Sequence, residues 1–471
     1  MGLSGSHWMI RLFRVYVPVG TLALLISEII LLTTAFLVAT YSVLTFDPSI
    51  FLFDEGGWVR IAVVIASILV GLYFQDLYTD LFVKSNIVLL QQLCLVVGSA
   101  FLLQGFISYL DEGLRVPIRV MIIGNSLSVL AIFGWRIFFS TYALQAVNRE
   151  KFLLVGGSPL LEDIGRFIEK HPESGCMIAG YVDDAHEPGA PLPGGKVLGS
   201  VPSLSEIVNA VLPNRVVVGM LERRNRMPVT ALLELRFGGY IIEEAAAAYE
   251  RICGRVCLKE LRPAQLIYSG ELGPRRSDVL HQLVLNKTFA AVGIVVSLPI
   301  MLVTALAVRF SSAGPILYRQ VRVGLDGVPF SLYKFRSMRA DAEVATGAVW
   351  ASKDDPRVTN VGRIIRKIRF DELPQLFNVL KGEMSIVGPR PERPEFVNEF
   401  SEHIPYYRQR HCVRPGITGW AQINYRYGDT LEDTVCKLEY DLYYIKNMSL
   451  SLDAYIIFHT IKTMLLSRGS Q

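Results

Sequence analysis

The chain has 471 residues, enough for two or three domains, and 51% of them are hydrophobic, above the usual share for a soluble protein. A formal net charge of +4 is small for this length and excludes a general nucleic-acid binder. The six cysteines (Cys94, Cys176, Cys253, Cys257, Cys412, Cys436) are scattered; only Cys253 and Cys257 are close, so they read as reduced thiols and not as a zinc site.

Apolar runs near 17–40, 58–75, 87–107 and 117–140 each approach the ~20 residues that a helix needs to cross a bilayer. Arg11 and Arg14 precede the first run, which continues to about residue 40 without a small-residue cleavage pattern, so a retained span is expected. Residues 41–57 carry Asp47, Asp54 and Glu55 but no Lys or Arg, whereas Lys84 follows the second span and Arg149 and Lys151 the fourth. The positive-inside rule then puts the N-terminus and everything after the fourth span in the cytoplasm, with Asp111 and Glu112 outside and Arg115 the dissenting charge. Glu28 and Arg136 stand within spans; two isolated charges make no relay, so interhelical pairing or snorkelling explains them better than a transport path.

From residue 151 short β-rich runs alternate with helical ones. KFLLVGG (151–157), MIAGYVDD (177–184), NRVVVGM (214–220), YIIEE (240–244) and RVCLKEL (255–261) read as strands, with helices near 159–170, 203–211 and 227–237. That alternation predicts a parallel sheet covered on both faces. The first strand runs into Gly156-Gly157, but the string GGSPLL has Leu161 at the third glycine position of a dinucleotide fingerprint. Asp183-Asp184 lie where a ribose-binding acid would stand; with the glycine missing, a structural or regulatory domain is favoured over a nucleotide-dependent dehydratase or reductase.

Residues 288–308 are apolar and again long enough to span, with Lys287 before and Arg309 after. A simple fifth span would put the following basic, motif-rich third of the chain outside the cell. Ser297-Leu298-Pro299 stands mid-segment, and proline removes a backbone donor and kinks or breaks a helix. A broken helix that enters and leaves on one face is therefore expected.

Downstream, arginine, glycine and proline concentrate in RQVRVG (319–324), YKFRSM (333–338), RIIRKIRFDELPQLFNVLKG (363–382), VGPRPERPEF (387–396) and RPGITGWAQ (414–422). Adjacent carboxylates such as Asp371 and Glu372 are common on solvated helices, but here Leu373-Pro374 follows at once, then apolar Leu376, Val379 and Leu380, then Gly382. This pattern puts both acids at a helix N-terminus, where free N–H groups also favour phosphate. Arg363, Arg366, Lys367 and Arg369 interleave with Ile364, Ile365 and Ile368, a mixture suited to a headgroup surface. Gly416 and Gly419 read as turn residues, and Trp420 as a possible interface anchor.

Residues from about 281 to 471 resemble the bacterial sugar transferases, the polyprenyl-phosphate glycosyl-1-phosphate transferases, with these motifs matching in order and spacing. Four N-terminal spans and a degenerate α/β domain are similar to the large branch of that family, and VGPRPERPEF with EYDLYYIKN is similar to its exopolysaccharide-associated members. The resemblance implies a membrane α-helical bundle (1–147), a cytoplasmic Rossmann-like α/β domain (148–275) and a mixed α/β catalytic domain (276–471) with a re-entrant helix at about 288–308, broken at Ser297 and Pro299. It implies residence in the bacterial inner membrane with the catalytic domain on the cytoplasmic face, and a possible homodimer.

The implied reaction moves a sugar-1-phosphate from a UDP-sugar, UDP-glucose or UDP-galactose before an N-acetylated sugar, to undecaprenyl phosphate with release of UMP. Asp371 is the implied nucleophile and Glu372 the implied Mg2+ ligand. Arg390, framed by Pro389 and Pro391, is the implied nucleotide contact, and Lys334, Arg336, Arg366, Arg369 and Arg414 are phosphate candidates. Phe370 replaces the small aliphatic usual before the acids, but stays apolar. The competing reading is a catalytically silent scaffold or regulator of polysaccharide assembly, which loss of either acid would have favoured.

Overall fold

The computed structural model describes residues 9–12, 15–45, 47–78, 81, 83, 85–143, 150–220, 227–259, 276–339, 342, 355, 357–425 and 430–465. Lys84, Arg14 and Arg149, used above for orientation, lie outside the described residues. The chain divides into two compact units: Met1–Arg11 with Tyr16–Ala245, and Ala246–Gln471 with Leu12–Val15.

Two short strands, β1 (Met9–Leu12) and β2 (Val15–Pro18), precede the four apolar helices of the first unit: α1 (Val19–Val43), α2 (Gly57–Phe74), α3 (Asn86–Leu110) and α4 (Ile118–Phe138). Among the described residues five helices are long and apolar enough to cross a membrane, these four and one in the second unit. Each of the four buries one stripe, as with Leu24, Glu28, Leu32 and Phe36 on α1, and turns apolar residues such as Ile30 and Leu102 outward. That is the arrangement of helices with hydrocarbon outside the bundle. The expected pairing of the intramembrane charges is present: Arg136 Nε lies 2.7 Å from Glu28 Oε1, and Tyr78 donates to Glu28 Oε2 at 2.5 Å.

The same unit holds a six-stranded sheet of order β5-β6-β4-β3-β7-β8, formed by β3 (Glu150–Val155), β4 (Cys176–Val182), β5 (Pro191–Leu192), β6 (Gly195–Gly199), β7 (Arg215–Val218) and β8 (Ile241–Glu244). All neighbours are parallel except β5 on β6. Strands β5 and β6 are short and have no sequence alternation to announce them. Helix α5 (Pro159–Lys170) is capped by Ser158, whose side chain accepts from Leu160 N. Leu161 fills the place of the missing glycine, its side chain packed against Gly219. Asp183 is paired with His186 Nδ1 at 2.6 Å, and Asp184 accepts from Val201 N at 2.8 Å. Both acids therefore serve contacts within the domain. Helices α6 (Leu204–Val211) and α7 (Val229–Phe237) complete the layers.

The longer stretch of the second unit runs from Ala246, inside α8 (Ala245–Cys253). Residues 255–259 are not a strand: Glu439 holds them as irregular chain, its main-chain O accepting from Val256 N and its Oε1 from Leu258 N, each at 3.1 Å. Residues 260 and 261 lie outside the described set. Trp420 is core and not an interface anchor; it is 5% exposed, stacks on Tyr443 and donates to Gly254 O.

Helix α9 (Arg276–Ser311) is 36 residues long and continues through Pro299, so the proline does not end it. Its polar first turns dock by Gln282, which donates to Asp453 Oδ2 and Tyr444 Oη, and by Asn286, which donates to Ser385 Oγ. Farther along, Ala290 packs with Leu332, Val379 and Met384, and Met301 and Val308 pack with Phe335 and Ile365. The opposite face presents Val295, Val296, Leu302 and Val303, all exposed.

Strands β9 (Leu317–Val323) and β10 (Pro329–Phe335) form an antiparallel hairpin. Then come α10 (Asn360–Lys367), α11 (Gln375–Lys381), β11 (Ser385–Val387), α12 (Pro394–His403), β12 (Gly416–Thr418), α13 (Trp420–Asn424), α14 (Leu431–Asn447) and α15 (Leu450–Leu465). Strands β11 and β12 pair in parallel and bring the VGPRP and RPGITG segments side by side.

Candidate active site

The acidic pair stands on a single 3-10 turn, Phe370–Glu372. Leu373 and Pro374 separate it from α11, so the acids precede that helix and do not occupy its first turn. Arg369 enters the turn in the left-handed region at φ 57°, a conformation held because Ile365 and Phe370 on either side are drawn into one apolar cluster with α9. Upstream, α10 approaches so closely that a Cβ on Gly362 would lie 1.9 Å from Ser337 O. Gly362→Ala is expected to lower stability by about 2–3 kcal/mol, measured by chemical unfolding, because a main-chain oxygen cannot rotate away. The outward face of α10 carries exposed Ile364 beside Arg363 and Lys367, and Ile368 just after the helix is exposed too, the apolar–cationic mixture anticipated for a headgroup surface.

The two acids sit in opposite environments although they are neighbours and equally buried, each 9% exposed. Glu372 is ringed by cations: Arg390 Nη2 donates to Oε1 at 2.9 Å, Lys334 Nζ lies 3.3 Å from Oε1, and Arg369 Nη1 lies 3.7 Å from Oε2. Burial opposes its charge, but Arg390, Lys334 and Arg369 outweigh that and hold the carboxyl well below the usual range. Asp371 accepts no side-chain hydrogen bond and makes no ion pair among the described residues. Burial first, and then the charge of Glu372, push it up to about 6, against the more distant attraction of Lys334, Arg366 and Arg390. The site thus contains one anion held by cations and, beside it, one buried carboxylate with no direct partner among the described residues, more basic than an ordinary aspartate.

Of the residues singled out from sequence, Lys334, Arg369 and Arg390 meet at Glu372, and Arg366 lies within electrostatic reach of Asp371. Arg336 does other work: it is buried and donates to the carbonyls of Ala313, Val308 and Ser312, satisfying the C-terminal end of α9. Arg414 donates from Nε to Gly382 O at the end of α11. Gly416 and Gly419 are extended residues where backbones meet and do not form a turn: a Cβ on Gly416 would lie 2.1 Å from Gly388 N, and one on Gly419 2.3 Å from Gly388 O. Pro389 and Pro391 frame Arg390 as expected, and their carbonyls accept from Gly416 N and Arg322 Nη1. Ser297 lies on α9 with its hydroxyl 3.5 Å from Met301 Sδ.

Among the described residues no group of three or more His, Cys, Asp or Glu side chains makes a ready metal cage. Mg2+ seldom needs one, because it takes one or two carboxylates together with substrate phosphates and water. The donors fit that habit: Glu372 Oε2 lies 3.7 Å from Arg369 Nη1, beyond hydrogen-bond distance, and the Asp371 carboxylate beside it is a hard oxygen donor without a hydrogen-bond donor among the described residues.

Comparison with known proteins places residues 278–467 within the family described as bacterial sugar transferase. A UDP-N-acetylgalactosamine-undecaprenyl-phosphate N-acetylgalactosaminephosphotransferase of Aeromonas hydrophila is 46% identical over 222 residues, 47% of this chain and 52% of that protein. A UDP-glucose:undecaprenyl-phosphate glucose-1-phosphate transferase of Xanthomonas campestris pv. campestris is 33% identical over 343 residues, 69% of this chain and 68% of the relative. One of the same name from Caulobacter vibrioides is 41% identical over 194 residues, 41% of this chain but 72% of the relative. The match to the Aeromonas protein thus spans about half of that protein's length, 52%.

Proposed function

The chain belongs to the bacterial sugar transferase family, and from that premise we propose that it transfers a sugar-1-phosphate from a UDP-sugar to undecaprenyl phosphate, releasing UMP. The transfer takes place at the cytoplasmic face of the bacterial inner membrane and initiates exopolysaccharide synthesis. What carries the reading is the contrast within the acidic pair: a buried Asp371 with no direct partner among the described residues beside a Glu372 surrounded by cations.

In the first step an Asp371 oxygen forms a bond to the sugar-bearing phosphorus. The bond from that phosphorus to the bridging oxygen breaks, and UMP departs with the electron pair. In the second step an oxygen of undecaprenyl phosphate attacks the same phosphorus and Asp371 leaves. Two displacements let a water-soluble donor and a lipid acceptor use one nucleophile in turn. Burial without a hydrogen-bond donor keeps Asp371 reactive, while Lys334, Arg369 and Arg390 supply positive charge where the diphosphate binds. Mg2+ held by Glu372 would neutralise the diphosphate and stabilise the departing UMP.

The re-entrant topology is supported by contacts at both ends of α9. Gln282 near its start binds Asp453 and Tyr444, while the carbonyls of Val308 and Ser312 at its end bind Arg336, all within the second unit. A helix crossing a hydrocarbon core of ~30 Å would hold those ends on opposite sides. In right-side-out and inside-out vesicles, with native cysteines replaced, His281→Cys and Ser311→Cys are both expected to react with an impermeant maleimide from the cytoplasmic face. Reaction of one from each face would show a true span.

The sugar is proposed as glucose or galactose; relatives named for glucose and for N-acetylgalactosamine both occur. The deciding experiment supplies purified protein with Mg2+, undecaprenyl phosphate and a panel of UDP-sugars. UMP release with one donor, lost on chelation by EDTA and restored by Mg2+, is expected. No release with any donor would overturn the proposal in favour of a silent scaffold.

A further inference from the structure

Arg390 reaches Glu372 from a segment without regular secondary structure, and a guanidinium on a loop holds a fixed position only if its backbone is fixed. Four consecutive carbonyls of that segment are bound from three places in the second unit: Gly416, Arg410 and the adjacent β9 residues Arg322 and Val323. Pro389 O accepts from Gly416 N at 2.9 Å, Arg390 O from Arg410 Nη2 at 2.9 Å, Pro391 O from Arg322 Nη1 at 3.0 Å and Glu392 O from Val323 N at 2.9 Å. Two of the donors are cations, and the one on Arg390 itself is the more buried. Arg410 is 7% exposed, lies 2.8 Å from Asp441 Oδ2 and donates from Nη1 to Tyr407 Oη at 2.6 Å. Its side chain is thus held on two sides and directed at a single main-chain oxygen of the residue that neutralises Glu372.

We propose that Arg410 is a positioning residue for the transfer reaction: held by Asp441 and Tyr407, it clamps the Arg390 carbonyl so that the Arg390 guanidinium stays on Glu372, with Arg322 as a second clamp on Pro391. The chemistry favours arginine at this place. A planar fork can satisfy a carboxylate, a phenol oxygen and a carbonyl together in fixed directions, which the single ammonium of lysine cannot. Burial makes the ion pair with Asp441 and the bonds to Tyr407 and Arg390 costly to lose.

This inference rests on the proposed transferase reading for its kinetic consequence, but not for its structural one, and the test separates the two. In detergent-solubilised full-length protein, Arg410→Lys is compared with wild type by hydrogen exchange of peptides covering 386–396. It is then compared by kcat and KM for UMP release, alone and combined with Arg390→Ala. Exchange of that peptide is expected to rise at least several-fold while the acidic turn and α14 keep their protection. Displacements on the ångström scale cost about a hundredfold in rate, so kcat is expected to fall by ten- to a hundredfold in the wild-type background. In the Arg390→Ala background the same substitution is expected to cost less than about twofold, because a residue acting through Arg390 has nothing left to position.

If Arg410→Lys fails to fold, Arg322→Gln, with its side chain closer to solvent, takes its place with the same expectations. Unchanged exchange over 386–396, or equal losses of kcat in the two backgrounds, would overturn the proposal. The exchange comparison decides the clamp even if wild type turns over no UDP-sugar, an outcome that would count against the transferase reading and leave the clamp to be judged by protection alone.

Discussion

Asp371→Asn is expected to reduce UMP release by at least about ten-thousandfold, the scale on which losing a covalent nucleophile is felt, while leaving the protein as stable as wild type or slightly more so. The amide has the same shape as the carboxylate but cannot attack phosphorus. The stability half of the expectation follows from the environment. Burial and the neighbouring Glu372 raise the folded-state pKa of Asp371, so the fold disfavours its charge at neutral pH, and a neutral side chain removes that cost. Glu372→Gln is the informative contrast. It takes the anion out of a ring formed by Arg390, Lys334 and Arg369, so it is expected to lower stability by about 1–3 kcal/mol as well as activity. Thermal unfolding of both variants beside the UMP assay checks the pair. Equal destabilisation by the two substitutions would show that the acids do not differ in environment.

Gly416→Ala is expected to cost about 3 kcal/mol or more, and most of the activity with it. The added methyl would lie 2.1 Å from Gly388 N, 2.4 Å from Thr418 O and 2.7 Å from Gly388 Cα, all main-chain atoms with no rotamer to escape into. Relief requires β11 and β12 to part. That strains the bonds from Gly416 N to Pro389 O and from Gly388 N to Thr418 O, and so moves the base from which Arg390 reaches Glu372. Gly382→Ala is the proper control. It lies in open space at φ +85°, where the expected cost is only the ~1 kcal/mol of a left-handed alanine. Chemical unfolding of the two variants distinguishes a steric requirement from a conformational one.

The parts of this fold written locally in the chain were legible from it. The four N-terminal helices match apolar runs because membrane thickness sets a length that composition reveals, and β3, β4, β7 and β8 fall on their β-rich runs. The acidic pair was legible because unusual residues crowd a short stretch around Asp371 and Glu372. Residues 255–259 read as a strand because their apolar content is right, but Glu439, about 180 residues away, captures their backbone instead. The carbonyl contacts of Arg336 and Arg414 could not be read from the sequence, which records a cation without its partner; the fold supplies helix-end carbonyls. Arg410 was missed for the same reason, since nothing near it in the chain indicates that it faces Arg390. Gly416 was read as a turn residue because glycine's absence of a side chain has two uses, and only the neighbouring strand shows which applies.

The central claim, that Asp371 carries the sugar phosphate between two substrates, is tested most directly by leaving out the acceptor. Purified protein is mixed with Mg2+ and the preferred UDP-sugar but no undecaprenyl phosphate, and both UMP release and the intact mass of the chain are measured. A burst approaching a single UMP per chain, a mass gain of one sugar phosphate mapping to the peptide that contains Asp371, and loss of both in Asp371→Asn are predicted. UMP release that begins only when undecaprenyl phosphate is added, with no mass gain before it, would mean direct displacement and contradict the account.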